Sequence, residues 1–230
     1  MWKEFGTIIK LLFGPEDELR EIIFVTLKMS LYSTIIGSIL GLIVGYFISV
    51  KRFKGKAILR RVINTLMGLP PVVAGLVVFL ILSRSGPLGE LKLLYSLNAM
   101  VIAQIFLITP IVTGLSIPTL SEKNKKISET AKGIGLSKFQ QFYLLFFESR
   151  KQIIGVILSA FGRSISEVGA VQLVGGNIQY KTRVMTTAIM LETNRGNFYY
   201  AVALGIVLLL ISLAVNSIVA MIQDNKREML

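Results

Sequence analysis

Two charges stand inside an otherwise apolar stretch of this chain: Arg163 and Glu167, between the apolar runs 152–162 and 168–174. Four residues apart, they share a helix face and can pair. Arg163 falls 10 residues into the stretch 153–174, which is ~15 Å along a helix and near the middle of a ~30 Å bilayer core. Insertion of one such charge costs roughly 2.5–3.5 kcal/mol at a helix centre, so neither group can face lipid. Two chemistries fit the pair. It is a buried structural ion pair, or Arg163 lends positive potential to a passing dianion while Glu167 tunes that potential or closes a gate. Other chemistries are excluded by composition: with no His and no Cys, the chain has no imidazole proton transfer, thiol nucleophile, disulfide, or Cys/His metal or haem ligation. The string nearest to a phosphate-binding loop, Gly55-Lys56-Ala57, lacks the hydroxyl residue and the first glycine, so no nucleotide is hydrolysed by a Walker motif of its own.

The elements that hold these residues are legible from hydropathy. Of 230 residues 53% are hydrophobic and only 17% charged, and the mean hydropathy is +0.69. Charge-free runs cover 31–50, 62–83, 93–121 and 196–223, each long enough to cross a bilayer as a helix. With 153–174 as another, the chain reads as an all-α integral membrane protein of five spans, roughly 25–50, 62–83, 96–118, 153–174 and 198–222. The stretch 184–191 is too short to cross and reads as a surface or re-entrant helix. Residues 1–21 alternate apolar residues with charges, unlike a cleavable signal peptide.

Lys and Arg in the loops orient the spans. Fifteen lie in 51–61, 119–152 and the C-terminal segment, against 8 on the other side. The first side is therefore expected to be cytoplasmic, with the N-terminus outside and the C-terminus inside. The net charge of +12 is thereby distributed by topology rather than gathered on one face, which argues against nucleic-acid binding.

Three segments have a mechanical reading. Ser33, Gly37, Gly41 and Gly45 recur every four residues and allow close helix packing in lipid. In Gly68-Leu69-Pro70-Pro71 the paired prolines disturb a helix, as does Pro110 in the third span, and such interruptions often line a transport path. The segment 119–152 is too long for a turn and reads as helices, with Phe139, Phe142, Tyr143 and Phe146 forming an apolar stripe.

Within that segment Glu129, Ala131 and Gly135 match the E-A-A-x-x-x-G signature of ABC-transporter permease subunits of the importer type, with Thr130 in place of the first alanine. Gly68 to Gly75, the string Gly86-Pro87-Leu88-Gly89 and the segment 162–170 resemble the molybdate, sulfate and tungstate branch. Gly175-Gly176-Asn177-Ile178 and the segment 186–193 look closest to tungstate permeases. The resemblance implies one permease domain over 1–230, with a cytoplasmic coupling-helix loop at about 119–152. In it Glu129, Thr130, Ala131, Gly133, Gly135 and Leu136 would meet an ATP-binding partner. Pro70, Pro71, Arg163, Ser166 and Glu167 would lie on the translocation pathway. The outer segment 177–195, with Asn177, Lys181, Arg183 and Arg195, would dock an external substrate-binding protein, or only close the bundle. The assembly implied is a homodimer in the plasma membrane with two ATP-binding subunits. ATP and Mg would be held by those partners, and no cofactor or metal by this chain. The expected function is ATP-driven import of a tetrahedral oxyanion, tungstate first. Alternatives are a permease for molybdate, sulfate or another small solute, an ATP-independent carrier or channel, and a non-transporting scaffold.

Overall fold

The computed structural model describes residues 17–224, which form eight α-helices and no strand. They are α1 (Asp17–Val50), α2 (Lys56–Met67), α3 (Pro71–Leu82), α4 (Leu97–Ile134), α5 (Lys138–Ile165), α6 (Gly169–Gly175), α7 (Met185–Asn194) and α8 (Phe198–Asp224). The expected topology extends to Lys3, Lys10, Lys226, Arg227 and both termini, which lie outside the described residues.

Helices α1, α4 and α8 are each long and apolar enough to cross a bilayer, and α2 with α3 and α5 with α6 raise the number to five if each bent pair counts once. The five expected spans are matched when each bent pair is counted as one, and two of them are then not single helices. The expected second span, 62–83, breaks between α2 and α3 with a bend of 99°, and the fourth, 153–174, breaks between α5 and α6 with a bend of 59°. The first break explains the paired prolines. Pro71 is the first residue of α3 and Pro70 precedes it with φ −59° and ψ 127°, where a helix needs no N–H and the proline ring crowds no earlier turn. The Pro70 carbonyl accepts from the Val73 and Ala74 amides at 2.9 and 3.2 Å. Pro110 does not end its helix: both Pro110 and Pro118 lie inside α4.

The long segment 119–152 is helical, as expected. It is the end of α4 and the start of α5, an antiparallel hairpin turned by Gly135, Leu136 and Ser137 alone. Gly135 takes the left-handed conformation, φ 70°, in which glycine carries no steric penalty. Ser137 then starts α5 with a reciprocal capping box to Gln140.

The seam between α1 and α4 organises the interior. Gly37, Gly41 and Gly45 face Ile108, Val112 and Ser116, so one four-residue repeat meets another and the small-residue stripe packs within the chain. A Cβ at Gly41 would lie 2.7 Å from Val112 Cβ and 2.9 Å from the Thr109 carbonyl oxygen. Thr113 Oγ1 completes the seam by donating to the carbonyls of Gly41 at 3.2 Å and Thr109 at 2.7 Å. Helix α7, expected as a surface or re-entrant helix, buries one face and exposes Met190, Thr193 and Asn194 on the other. Met185, Thr187 and Ala188 are buried beneath α8 and α1, with Met185 and Ala188 in one core with Leu19, Ile22 and Leu204.

This seam predicts a graded response. Gly41→Val should lower stability in detergent by about 1–3 kcal/mol or more, the usual cost of overpacking against backbone. Gly205→Ala, where an added Cβ meets nothing within 4 Å, should be neutral. Thermal unfolding of the two purified variants checks the contrast.

Candidate functional site

The two helix breaks meet. Gly75 of α3 packs on Ala170 of α6, where an added Cβ would stand 2.6 Å from Ala170 Cα, and Gly169 packs on Val72. The starts of α3 and α6 are thereby brought together, two interruptions of the chain at one junction.

Glu167 is buried there, and its carboxylate does something other than what its spacing from Arg163 suggests. One oxygen accepts from the Val168 amide at 3.0 Å and the Ala170 amide at 3.3 Å, amides that the break leaves without helical partners. Its carbonyl accepts from Thr186 Oγ1 of α7 at 2.8 Å. The second carboxylate oxygen is 3.9 Å from Arg163, whose side chain is 48% exposed against 5% for Glu167. The ion pair is therefore long and open on its Arg163 side. Glu167 is satisfied chiefly by backbone, and Arg163 stands half open at the last turn of α5. Ser166, also exposed, turns its hydroxyl back to the carbonyls of Gly162 at 3.0 Å and Arg163 at 3.1 Å.

The last turn of α5 is held by residues that charge and proline counting overlooked. Ser164 Oγ meets Ser33 Oγ at 3.0 Å, and Gln104 of α4, buried, donates from Nε2 to the Ser164 carbonyl at 3.2 Å. Gln104 is the one amide side chain in the charge-free run 93–121 that lies within its apolar part, and that was the available signal.

At the hairpin the expected coupling residues divide. Ala131 is buried, Leu136 is half-buried, and Glu129, Thr130, Gly133 and Gly135 are exposed. Nothing lies within 4 Å of a Cβ built at Gly133 or Gly135. Thr130 Oγ1 donates to the Lys126 carbonyl at 3.2 Å. The aromatic stripe also divides. Phe142 and Phe146 pack on Tyr46 of α1, with ring centroids 5.0 and 5.9 Å away. Phe139 and Tyr143 stay exposed with Ile134 at the tip, an apolar patch that a solvent-facing turn does not need.

On the opposite side, two of the four expected docking residues are internal braces. Arg183, 10% exposed, pairs with Glu18 of α1 at 2.7 Å. Asn177 has φ 52°, and its side-chain oxygen accepts from Thr187 Oγ1 at 3.0 Å. Lys181 and Arg195 are exposed, Arg195 with Glu192 at 2.9 Å. Thr182, fully buried, donates to the Gly175 carbonyl at 2.6 Å and accepts from the Ile178 amide at 2.9 Å. Among the described residues no group of three or more His, Cys, Asp or Glu is placed to hold a metal.

Over residues 37–228 the chain matches the family model described as binding-protein-dependent transport system inner membrane component. It is 37% identical over 220 residues to the tungstate uptake system permease protein TupB of Peptoclostridium acidaminophilum, covering 96% of each chain. It is 33% identical over 178 residues to the sulfate transport system permease protein CysW of Synechococcus elongatus, covering 74% of this chain and 62% of that one. Its fold matches a chain of a bacterial alginate ABC transporter, solved in complex with alginate pentasaccharide-bound periplasmic protein. The TM-score is 0.73 at 17% identity, covering 100% of this chain and 89% of that chain.

The geometry of the junction separates the roles of its two charges. Glu167→Gln keeps an acceptor for the Val168 and Ala170 amides and should cost under about 1 kcal/mol, whereas Glu167→Ala leaves buried donors unmet and should cost about 1–3 kcal/mol. Arg163→Ala should change stability little. Unfolding midpoints in detergent test this order, and a Glu167→Gln variant as unstable as Glu167→Ala would restore the ion pair as the main interaction.

Proposed function

The chain belongs to the family of binding-protein-dependent transport system inner membrane components, the permease subunits of ABC importers, and from that membership we propose that the oxyanion it passes is tungstate. Membership already places the chain in the plasma membrane and sets aside the ATP-independent carrier and the scaffold. The observation that carries the substrate is the full-length likeness to a tungstate uptake permease, at 96% coverage of both chains. The sulfate permease likeness covers less of both chains.

In this reading the permease does no bond chemistry, and work enters through the hairpin. Ile134, Phe139 and Tyr143 with Glu129, Thr130 and Gly135 would seat on an ATP-binding subunit, which holds ATP and Mg. Their exposure, unusual for apolar residues outside a membrane, supports that contact. Movement of the tip reaches the junction through α5, whose far end is Arg163. There the half-open guanidinium would offer charge to the dianion beside Pro70, Pro71 and Ser166, while Glu167 keeps α6 in place. The exposed apolar face of α3, with Val73, Leu76, Val77 and Leu80, adjoins this junction and supports a second permease chain there, which we take to be another copy. On the outer side Lys181 and Arg195 would meet the substrate-binding protein, braced from within by Asn177 and Arg183. The whole chain acts as one permease domain in this scheme, with the hairpin side in the cytoplasm, where loop Lys and Arg predominate.

Calorimetry on the partner binding protein, followed by uptake in proteoliposomes, tests the substrate. Tungstate should be bound and imported ahead of molybdate, and sulfate should fail in both; sulfate uptake equal to tungstate uptake would reassign the permease. Orientation and coupling are tested by substitution, since the chain has no Cys to remove. Ser85→Cys and Asn194→Cys should label with an impermeant thiol reagent in intact cells, and Lys125→Cys should not. Phe139→Asp with Tyr143→Asp should insert normally yet co-purify at least several-fold less ATP-binding subunit. The intact complex should contain a single permease species.

A further inference from the structure

The turn that joins α1 to α2 carries a concentration of positive charge that the transport reading does not use. Residues 51–61 hold six Lys and Arg and no acid. Three of the six are committed to the fold. Lys51 lies over the Phe47 ring, 4.9 Å from its centroid. Lys56 Nζ closes the end of α1, donating to the carbonyls of Ser49 at 3.4 Å and Lys51 at 3.1 Å, where a cation also meets the helix dipole favourably. Arg60 donates to Ser121 Oγ of α4 at 3.3 Å, while its buried Nε has no hydrogen-bond partner. The remaining three, Arg52, Lys54 and Arg61, are exposed, and no described carboxylate lies within ion-pair distance of them.

The depth of this cluster follows from packing. Met67 lies against Gly114 of α4, Ile63 packs with Ile117, and Arg60 reaches Ser121. Helix α2 thus runs antiparallel along α4, and its first turn sits where the charge-free run of α4 ends at Ser121. That is the level of lipid headgroups. Beside the basic residues, Ile58, Leu59 and Val62 expose an apolar face on the same helix. Gly55, with φ 93°, turns the chain into α2, so that Arg52 and Lys54 immediately precede the helix that carries this face.

We propose that Arg52, Lys54 and Arg61 bind the phosphodiester headgroup of an anionic phospholipid of the cytoplasmic leaflet, whose acyl chains lie along Ile58, Leu59 and Val62. The charge is complementary, the apolar face is continuous with it, and the depth suits a lipid rather than a soluble anion. A juxtamembrane cluster of this size gains affinity for anionic surfaces with each basic residue, and salt screens the effect. The leaflet rests on the orientation proposed above; the contact itself does not.

Native mass spectrometry of the purified permease complex in detergent, titrated with phosphatidylglycerol or phosphatidylcholine of identical chains, tests the site. The wild type should retain phosphatidylglycerol on the order of tenfold more than phosphatidylcholine. Arg52→Gln with Lys54→Gln and Arg61→Gln should bring the ratio close to one. Should that variant fail to insert, raising salt on the wild type should collapse the same ratio. Equal retention of the two lipids by the wild type, or an unchanged preference in the triple variant, would overturn the proposal. So would disulfide cross-linking of Ile58→Cys to a second permease copy or to another subunit. Because the measurement is made in detergent, it is independent of the labelling test, and a reversed orientation would move the lipid to the other leaflet without removing it.

Discussion

A helix interrupted inside a bilayer must find partners for the backbone groups it releases, because lipid supplies none. This chain meets that constraint twice, by opposite means, at one place. At the first break Pro70 and Pro71 remove the donors, so the start of α3 has fewer amides to satisfy. At the second, Glu167 supplies an acceptor, one carboxylate oxygen shared by the Val168 and Ala170 amides. The two solutions pack against each other through Gly75, Ala170 and Gly169, where only small residues fit. The bends that these interruptions permit are what let a five-span bundle keep irregular backbone in its interior.

Around that junction the structure is continuous. Helix α4 spans 38 residues, about 57 Å at 1.5 Å per residue, from the loop that precedes it to the hairpin tip. It is fixed to α1 through the Gly37, Gly41 and Gly45 seam, and the end of α5 is fixed to both through Ser33, Ser164 and Gln104. Between the three-residue turn at Gly135 and the break at Ser166 lies a single helix, so displacement of the tip has no intervening joint to absorb it. On the far side the Arg183–Glu18 pair ties the segment after α6 to the start of α1. The flexible places are therefore few, and they coincide with the breaks.

Much of this was legible in the sequence, and the exceptions have physical reasons. Apolar runs located the spans because burial in lipid is a property of composition. The glycine stripe was legible as a close-packing face, since a four-residue repeat defines one, and α4 supplies the matching face. The hairpin motif was located, but its turn was not, because Gly135 works by a positive φ that spacing does not reveal. The break at Ser166 was invisible: no proline marks it, and only the glycine after it hints at it. Glu167 and its ion-pair partner Arg163 were found by charge and spacing, but the backbone amides that also meet this carboxylate leave no trace in side-chain spacing. Arg183 and Glu18 are 165 residues apart, and nothing local pairs them.

The same junction bears on how an oxyanion can be passed. Broken helices in transporters commonly aim free amides at an anionic substrate, and here those amides are already occupied by the chain's own carboxylate. The hydroxyls nearby are likewise committed: Ser166 to Gly162 and Arg163, Ser164 to Ser33, and Thr186 to Glu167. What the junction offers is the half-exposed charge of Arg163, without a fixed set of donors shaped to one anion. Charge without shape attracts a dianion but distinguishes poorly among tetrahedral ones, and it holds none of them tightly enough to impede release. Discrimination between tungstate and sulfate then falls to a site that encloses the anion with directed donors, which on this reading is the external binding protein.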